Sequence, residues 1–417
     1  MNAVSQDFLD IMAAGGHYEW RVCNWDNPNS GSSAYVIGKD KLISGTLTAT
    51  AFDGLSIGNV IASQLDLTVR DITYDTSKPL YLQYRAVNDT QQSSWYKKGC
   101  YYFDTIDTSK YSGISKITAY DAILKTNYVY QRKGEWYGTG DYSIVMNIAS
   151  TIGVSVDGNT QFLLQHTPNL LLNSPDIGEK GTTAMQLLSI IAAMRGGNWI
   201  IDYNGDLYLA ILSETPLSSV NIGNAVADFD ASDAETVSKV QIWLNSETYY
   251  ALPYLPLKTH TDVAIETHGG ETIEVRASDY YEEWDALSGF KLEANIPFYA
   301  EPLVASKLYT QFNGKTFYPY EGHMAFVPPN YEPIDEITVK DVTSLVADQT
   351  INIDALATSQ IRFRAEETLN SLYPYITEFQ RKTEYRLDNQ AQLIHANEEA
   401  ISQLTQRLNS IQVYNGD

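Results

Sequence analysis

The chain has only two cysteines in 417 residues, Cys23 and Cys100. That scarcity excludes a disulfide-stapled scaffold and a zinc site built from thiolates. One disulfide stays open, but two buried free thiols are the expectation for such widely separated positions. No apolar run approaches the ~20 residues of a membrane span, so no membrane anchor is expected. The N-terminus lacks a basic stretch followed by an apolar one, so no signal peptide is expected either. Cations are also in short supply: 28 Lys and Arg face 51 Asp and Glu, for a formal net charge of −23. No run of Lys or Arg gathers them. Such a surface repels phosphates and argues against a sequence-reading DNA binder.

The motifs of catalysis are missing too. No Gly-x-Ser-x-Gly elbow, phosphate loop, dinucleotide fingerprint or HExxH helix occurs. His260 and His268 bracket Glu266, but no further ligand converges on them, and the stretch reads as an exposed loop. Asp228, Asp230, Asp233 and Glu235 lack the glycine and terminal glutamate of a calcium loop. They read as a solvated loop before a strand at Val237. Cys23 lies in an aromatic strand and reads as a structural thiol. A glycosidase carboxylate pair stays open by counting alone. The expectation is a protein without catalytic residues, metal or cofactor.

What the chain does have is tyrosine, 30 residues of it. Tyrosine suits strands and broad protein contacts, because its ring buries while its hydroxyl stays polar. The stretch Lys41–Val69, KLISGTLTATAFDGLSIGNVIASQLDLTV, organises the rest. Its alternation predicts two antiparallel strands joined by a connection rich in turn formers. Residues 5–14 predict a short helix, capped by Ser5 and stopped by Gly15-Gly16, with Phe8, Leu9 and Met12 on one face. Strands are expected at Tyr18–Trp25, Leu80–Ala86, Gly99–Ile106 and Ile114–Tyr120.

The pattern changes after residue 121. Helices are expected at Asp141–Ile152, stopped by Gly153, and at Thr182–Arg195, stopped by Gly196-Gly197. Trp199–Asp202 and Asp206–Leu209 predict a hairpin around Asn204-Gly205, a pair favoured in tight type I′ turns. Strand candidates return at Val237–Leu244, Val263–Glu266, Thr272–Arg276 and Ile337–Val339. Prolines 297, 302, 319, 328, 329 and 333 argue for loops and edge strands there.

The expected fold class is mainly β with an α+β insertion. It comprises a first β-barrel domain with a short N-terminal helix (1–121), a mixed α+β insertion (122–212), a second β-barrel domain (213–353) and a C-terminal helix (354–417). From Pro374 to Val413 a 3–4 spacing runs through Thr383, Leu387, Gln390, Ile394, Asn397, Ile401, Leu404, Leu408 and Ile411. Leu387, Ile394, Ile401 and Leu408 fall seven apart, and Gln390 and Asn397 form polar layers. A period of 3.5 predicts a coiled coil, about 60 Å long at 1.5 Å per residue. The alternative is a helix packed back on its own chain. A short repeat also stands out: Ile57-Gly58-Asn59 opens IGNVIA, and Ile222-Gly223-Asn224 opens IGNAVA. It could mark a duplicated barrel turn.

Several stretches in this order resemble the tail hub proteins of bacteriophages and phage-tail-like particles. They are SQDFLDIMAAGG followed by HYEWRV, the hairpin ending LSIGNVIASQLDLTV, Gly99–Phe103 with Ala119–Leu124 and Tyr130, and TTAMQLLSIIAAMRGGNWIIDYNGDLYLA. Together they span about residues 5–245. The resemblance implies a homotrimeric ring at the distal end of the virion tail, assembled in the host bacterial cytoplasm. It implies two similar barrels per chain, so that three chains can meet a sixfold tube. The implied partners are further copies of the chain, the distal tail or tail-tube ring, a spike or fibre, and the tape-measure protein. DNA would pass through without specific binding. Many relatives carry a C-terminal peptidase or lysozyme domain, whereas this chain stops soon after the expected coil. A tail-associated cell-wall endopeptidase and a carbohydrate-binding adhesin are the alternative functions.

Overall fold

A computed structural model of the chain describes residues 3–24, 36–52, 57–72, 75–109, 113–130, 140–166 and 183–212. Beyond these it describes the strands named below, Ala234, Gln311 and residues 315–324, 328–354 and 356–363. Helix α1 is Gln6–Ala13, and the Ser5 hydroxyl accepts a hydrogen bond from the Phe8 N–H at 3.4 Å. Its buried residues are Phe8 and Ile11, while Leu9 is 48% exposed. Phe8 and Met12 of the expected Phe8–Leu9–Met12 face do pack on the core, and Ile11 takes the place of Leu9.

Seven strands follow: β1 His17–Cys23, β2 Val36–Ile37, β3 Leu42–Thr50, β4 Gln64–Arg70, β5 Leu80–Val87, β6 Tyr96–Thr108 and β7 Ile114–Tyr120. A 3-10 turn at Ala122–Thr126 leads to α2 Asp141–Ile152, α3 Gly158–His166 and α4 Ala184–Arg195. Then come β8 Gly197–Ile201, β9 Leu207–Ile211, β10 Ser219–Asn221, β11 Val226–Ala231 and β12 Glu235–Leu244. They are followed by β13 Tyr249–Ala251, β14 Pro256–Lys258, β15 Thr261–Thr267, β16 Thr272–Arg276 and β17 Glu283–Trp284. The last are β18 Thr316–Phe317, β19 Tyr320–Met324, β20 Glu336–Val339, β21 Val342–Leu345, β22 Asp348–Asn352 and β23 Ser359–Phe363.

β3 and β4 pair antiparallel as their alternation predicts, with Leu47 opposite Leu65. Leu65, Leu67 and Val69 turn inward and their neighbours outward, the period-2 pattern of a half-buried strand. An eleven-stranded sheet grows from this pair in the order β11-β19-β23-β22-β3-β4-β7-β6-β5-β1-β2. It curls as a half-barrel. Strands from both expected β segments share it: β22 pairs with β3 along Asp348–Asn352 and Thr46–Thr50.

Among the described residues the buried side chains form two apolar clusters. One lies under α1, with Phe8, Trp20, Tyr84, Leu65, Leu67 and Ile351. The Phe8 ring meets the edges of Tyr84 and Tyr96 at 6.0 and 5.4 Å. The Trp20 indole N–H donates to the Asp354 carbonyl at 2.8 Å, tying the first strand to the segment before β23. The other cluster joins α2 and α4 to β8, β9 and the strands around Phe317 and Phe363. Ile144, Val145, Ile148 and Ile152 form the buried face of α2, and Gly153 ends it at φ +80°.

The connection between β8 and β9 differs from the expected type I′ turn. Asp202 and Asp206 close a three-residue loop, with the Gly205 N–H donating to the Asp202 carbonyl at 3.0 Å. Gly205 then takes φ +91°. The reason is the Asp202 carboxylate, whose Oδ1 accepts the N–H groups of Asn204 and Asp206, both at 2.9 Å. That side chain favours a type I turn followed by a left-handed glycine.

Residues 1–367 form one compact unit. The expected coiled coil, with Leu387, Gln390, Ile394, Asn397, Ile401, Leu404, Leu408 and Ile411, lies outside the described residues.

Candidate functional site

Where the half-barrel meets the mixed segment lies a partly open cavity of about 300 Å³. Five carboxylates and one lysine line it: Asp121, Asp157, Asp202, Glu332, Asp335 and Lys98. Lys98 comes from β6, where the next residue, Gly99, leaves room for the Tyr101 ring to fold back against the backbone. The lysine points inward, with its side chain 1% exposed. Its Nζ donates to the Tyr331 carbonyl at 2.6 Å and to Glu332 Oε1 at 2.8 Å.

Glu332 is held from behind. Its N–H donates to Asp335 Oδ2 at 2.9 Å, and the Asp335 N–H donates back to the Glu332 carbonyl at 3.1 Å. Burial pushes the Glu332 carboxyl up to about 7, although Lys98 pulls it down. Asp121 caps the 3-10 turn. It accepts the Ser63 N–H at 2.7 Å and the Ile123 N–H at 2.9 Å. Burial raises its carboxyl to about 7 against those bonds. Asp202 is raised to about 6, again chiefly by burial. Asp157 caps α3 through the N–H groups of Asn159 and Thr160 at 2.8 and 3.0 Å.

Four of these five carboxylates therefore accept backbone N–H groups, and the fifth pairs with Lys98. Chemically the arrangement is a polar seam that fixes turns from four separate parts of the chain. The thiols fit that picture: Cys100 lines the cavity, and both cysteines are buried thiols rather than halves of a disulfide.

The Ile57-Gly58-Asn59 stretch also belongs to this junction. The sequence suggests a barrel turn; the structure lays it parallel to β8. The Gly58 N–H donates to the Gly197 carbonyl at 2.8 Å, and the Trp199 N–H to the Asn59 carbonyl at 2.9 Å. Asn198 Oδ1 accepts the Asn59 N–H at 2.8 Å, and the Ser189 hydroxyl donates to the Gly58 carbonyl at 2.6 Å. Ile57 is fully buried, and Gly58 takes φ +91°. Ile222, Gly223 and Asn224 lie outside the described residues.

The acidic run also departs from expectation. Asp228 and Asp230 belong to strand β11, opposite His323 and Glu321, rather than to a loop. Phe229 between them stacks on Tyr320 at 5.3 Å, which gives this strand an apolar anchor that the flanking charges conceal. Glu266 lies in β15, while His260 and His268 are outside the described residues. Among the described residues, no three His, Cys, Asp or Glu side chains converge as a metal site. Lys98 and Glu332 stand 234 positions apart, and nothing local in sequence marks either of them.

No family model matches the chain, and no curated protein matches it. Solved structures do resemble it. One is the 43 kDa tail protein of prophage MuSo2 from Shewanella oneidensis, at 12% identity and TM-score 0.44, over 82% of this chain and 97% of that one. Another is a tail protein from Neisseria meningitidis, at 12% identity and TM-score 0.43, over 84% and 96%. A third is prophage tail protein gp18 from Listeria monocytogenes, at 10% identity and TM-score 0.38, over 84% and 95%.

Proposed function

We propose that this chain is a structural protein of a bacteriophage or phage-like tail, and within the tail a hub subunit at the distal end. The observation that carries the reading is the ordered set of sequence stretches resembling hub proteins. Their placement supports it, because they hold one another. Phe8 of the first shares an apolar cluster with Leu65 and Leu67 of the second. Ser63 at the end of the second donates to Asp121 of the third. Gly58 of the second is bonded to Gly197 of the fourth.

In this reading three copies form a ring that meets the sixfold tube on one side and a spike or fibre on the other. The C-terminal heptads keep the three chains in register. The charge of −23 suits a passage through which DNA slides without sticking. The reading assigns the chain no catalysis, in keeping with carboxylates engaged in holding backbone turns.

Imaging the assembled particle tests the location directly: density for this chain anywhere but the distal tail overturns the hub assignment. Ile401→Asp tests the coil, since it places a charge from each chain in one apolar layer. Light scattering should show a lower oligomer mass for the variant. Release of fragments from host peptidoglycan by the purified chain would instead favour the endopeptidase alternative.

A further inference from the structure

We propose that Lys98 and Glu332 are joined by an isopeptide bond that clamps strand β6 to the segment preceding β20. The proposal is independent of the tail assignment. Three geometric facts carry it. Nζ and Oε1 already stand 2.8 Å apart. The lysine is 1% and the glutamate 15% exposed, so the pair is largely shielded from bulk solvent. Both ends are fixed: the Tyr331 carbonyl holds Nζ from a second direction, and Asp335 holds the Glu332 backbone by reciprocal hydrogen bonds. An amine and a carboxyl group held side by side in this way react as if at very high concentration.

The step balances without any co-reactant. The reactive form of the pair is the neutral one, in which one proton has passed from the ammonium to the carboxylate to leave an amine and a carboxylic acid. The raised Glu332 carboxyl agrees with that transfer. The Nζ lone pair then attacks Cδ, and the Nζ–Cδ bond forms. The Cδ–OH bond breaks, and the hydroxyl leaves as water with the remaining proton lost by nitrogen. Nothing is oxidised or reduced. The product is an amide in place of an ion pair, which removes the cost of holding two charges in a poorly solvated site.

Mass spectrometry of the full-length chain under denaturing conditions tests this. The expected wild-type mass is lower than that of the sequence by one water. Proteolysis should yield a branched peptide containing residues 98 and 332. Lys98→Arg keeps the charge and hydrogen-bond donors, but a guanidinium is not a nucleophile at neutral pH. It should differ from wild type by the substitution and one additional water. Glu332→Ala should likewise show its full mass. A wild-type chain at full mass overturns the proposal, and so does a water deficit that survives Lys98→Arg.

Discussion

Asp141, the first residue of α2, and Arg195, the last of α4, form an ion pair with both side chains fully buried. The pair fastens two helices at opposite termini, each where its charge suits the helix dipole. Asp141→Ala leaves the guanidinium buried without its carboxylate. The expected loss is roughly 3–5 kcal/mol in urea denaturation. Replacing both, as Asp141→Leu with Arg195→Met, should recover much of it. A single variant as stable as wild type would show that the pair contributes nothing.

Gly197→Ala should destabilise the junction between β8 and β9. A methyl group there would sit 2.2 Å from the Ala210 carbonyl oxygen, a backbone atom with no freedom to move aside. The expected cost is about 1–3 kcal/mol. Thermal unfolding of the variant measures it, and an unchanged midpoint would contradict this packing.

Asp121 and Asp202 give the fold a pH dependence of definite sign. Their carboxyls rise from 3.8 to about 7 and about 6. Both lie above the unfolded value. Their contribution is therefore full below about pH 4 and is lost as pH rises toward neutrality. Denaturation midpoints measured across that range should fall for wild type. Asp121→Asn, which cannot ionise, should show a shallower fall. An equal slope in both proteins rules out Asp121 as a source.

Trp20→Phe keeps the ring in the first apolar cluster and removes its N–H. The Asp354 carbonyl then loses its indole donor. The expected cost is about 1–3 kcal/mol. Hydrogen exchange should rise first in the backbone around residues 352–358, where Asn352 and Thr358 are bonded at 2.8 Å.

The parts of this fold legible in sequence are those with local causes. Ser5, Gly153 and Gly196 mark helix ends through their own side chains or lack of them, and the structure ends the helices there. The alternation of Leu65, Leu67 and Val69 fixes which face of β4 is buried. Helix α3 is illegible because it buries little beyond Thr160 and Leu164, too few for a periodic stripe. Pairing partners are illegible for a different reason: β22 meets β3 across most of the chain, and no local pattern encodes that choice. The junction itself is hidden because its decisive side chains, Lys98 and Glu332, are ordinary surface residue types until folding brings them together.

The placement of β22 beside β3 has a consequence for synthesis. Residues 42–50 emerge from the ribosome long before residues 348–352, and until then one edge of β3 has no partner in this sheet. An unpaired edge invites pairing with another chain. The N-terminal half should therefore be the aggregation-prone part of a nascent or truncated product, and a chain cut short before residue 348 should precipitate or recruit a chaperone. The two parts of the sheet join only when β22 and β23 arrive, so assembly is timed by these late strands rather than by the first ones made.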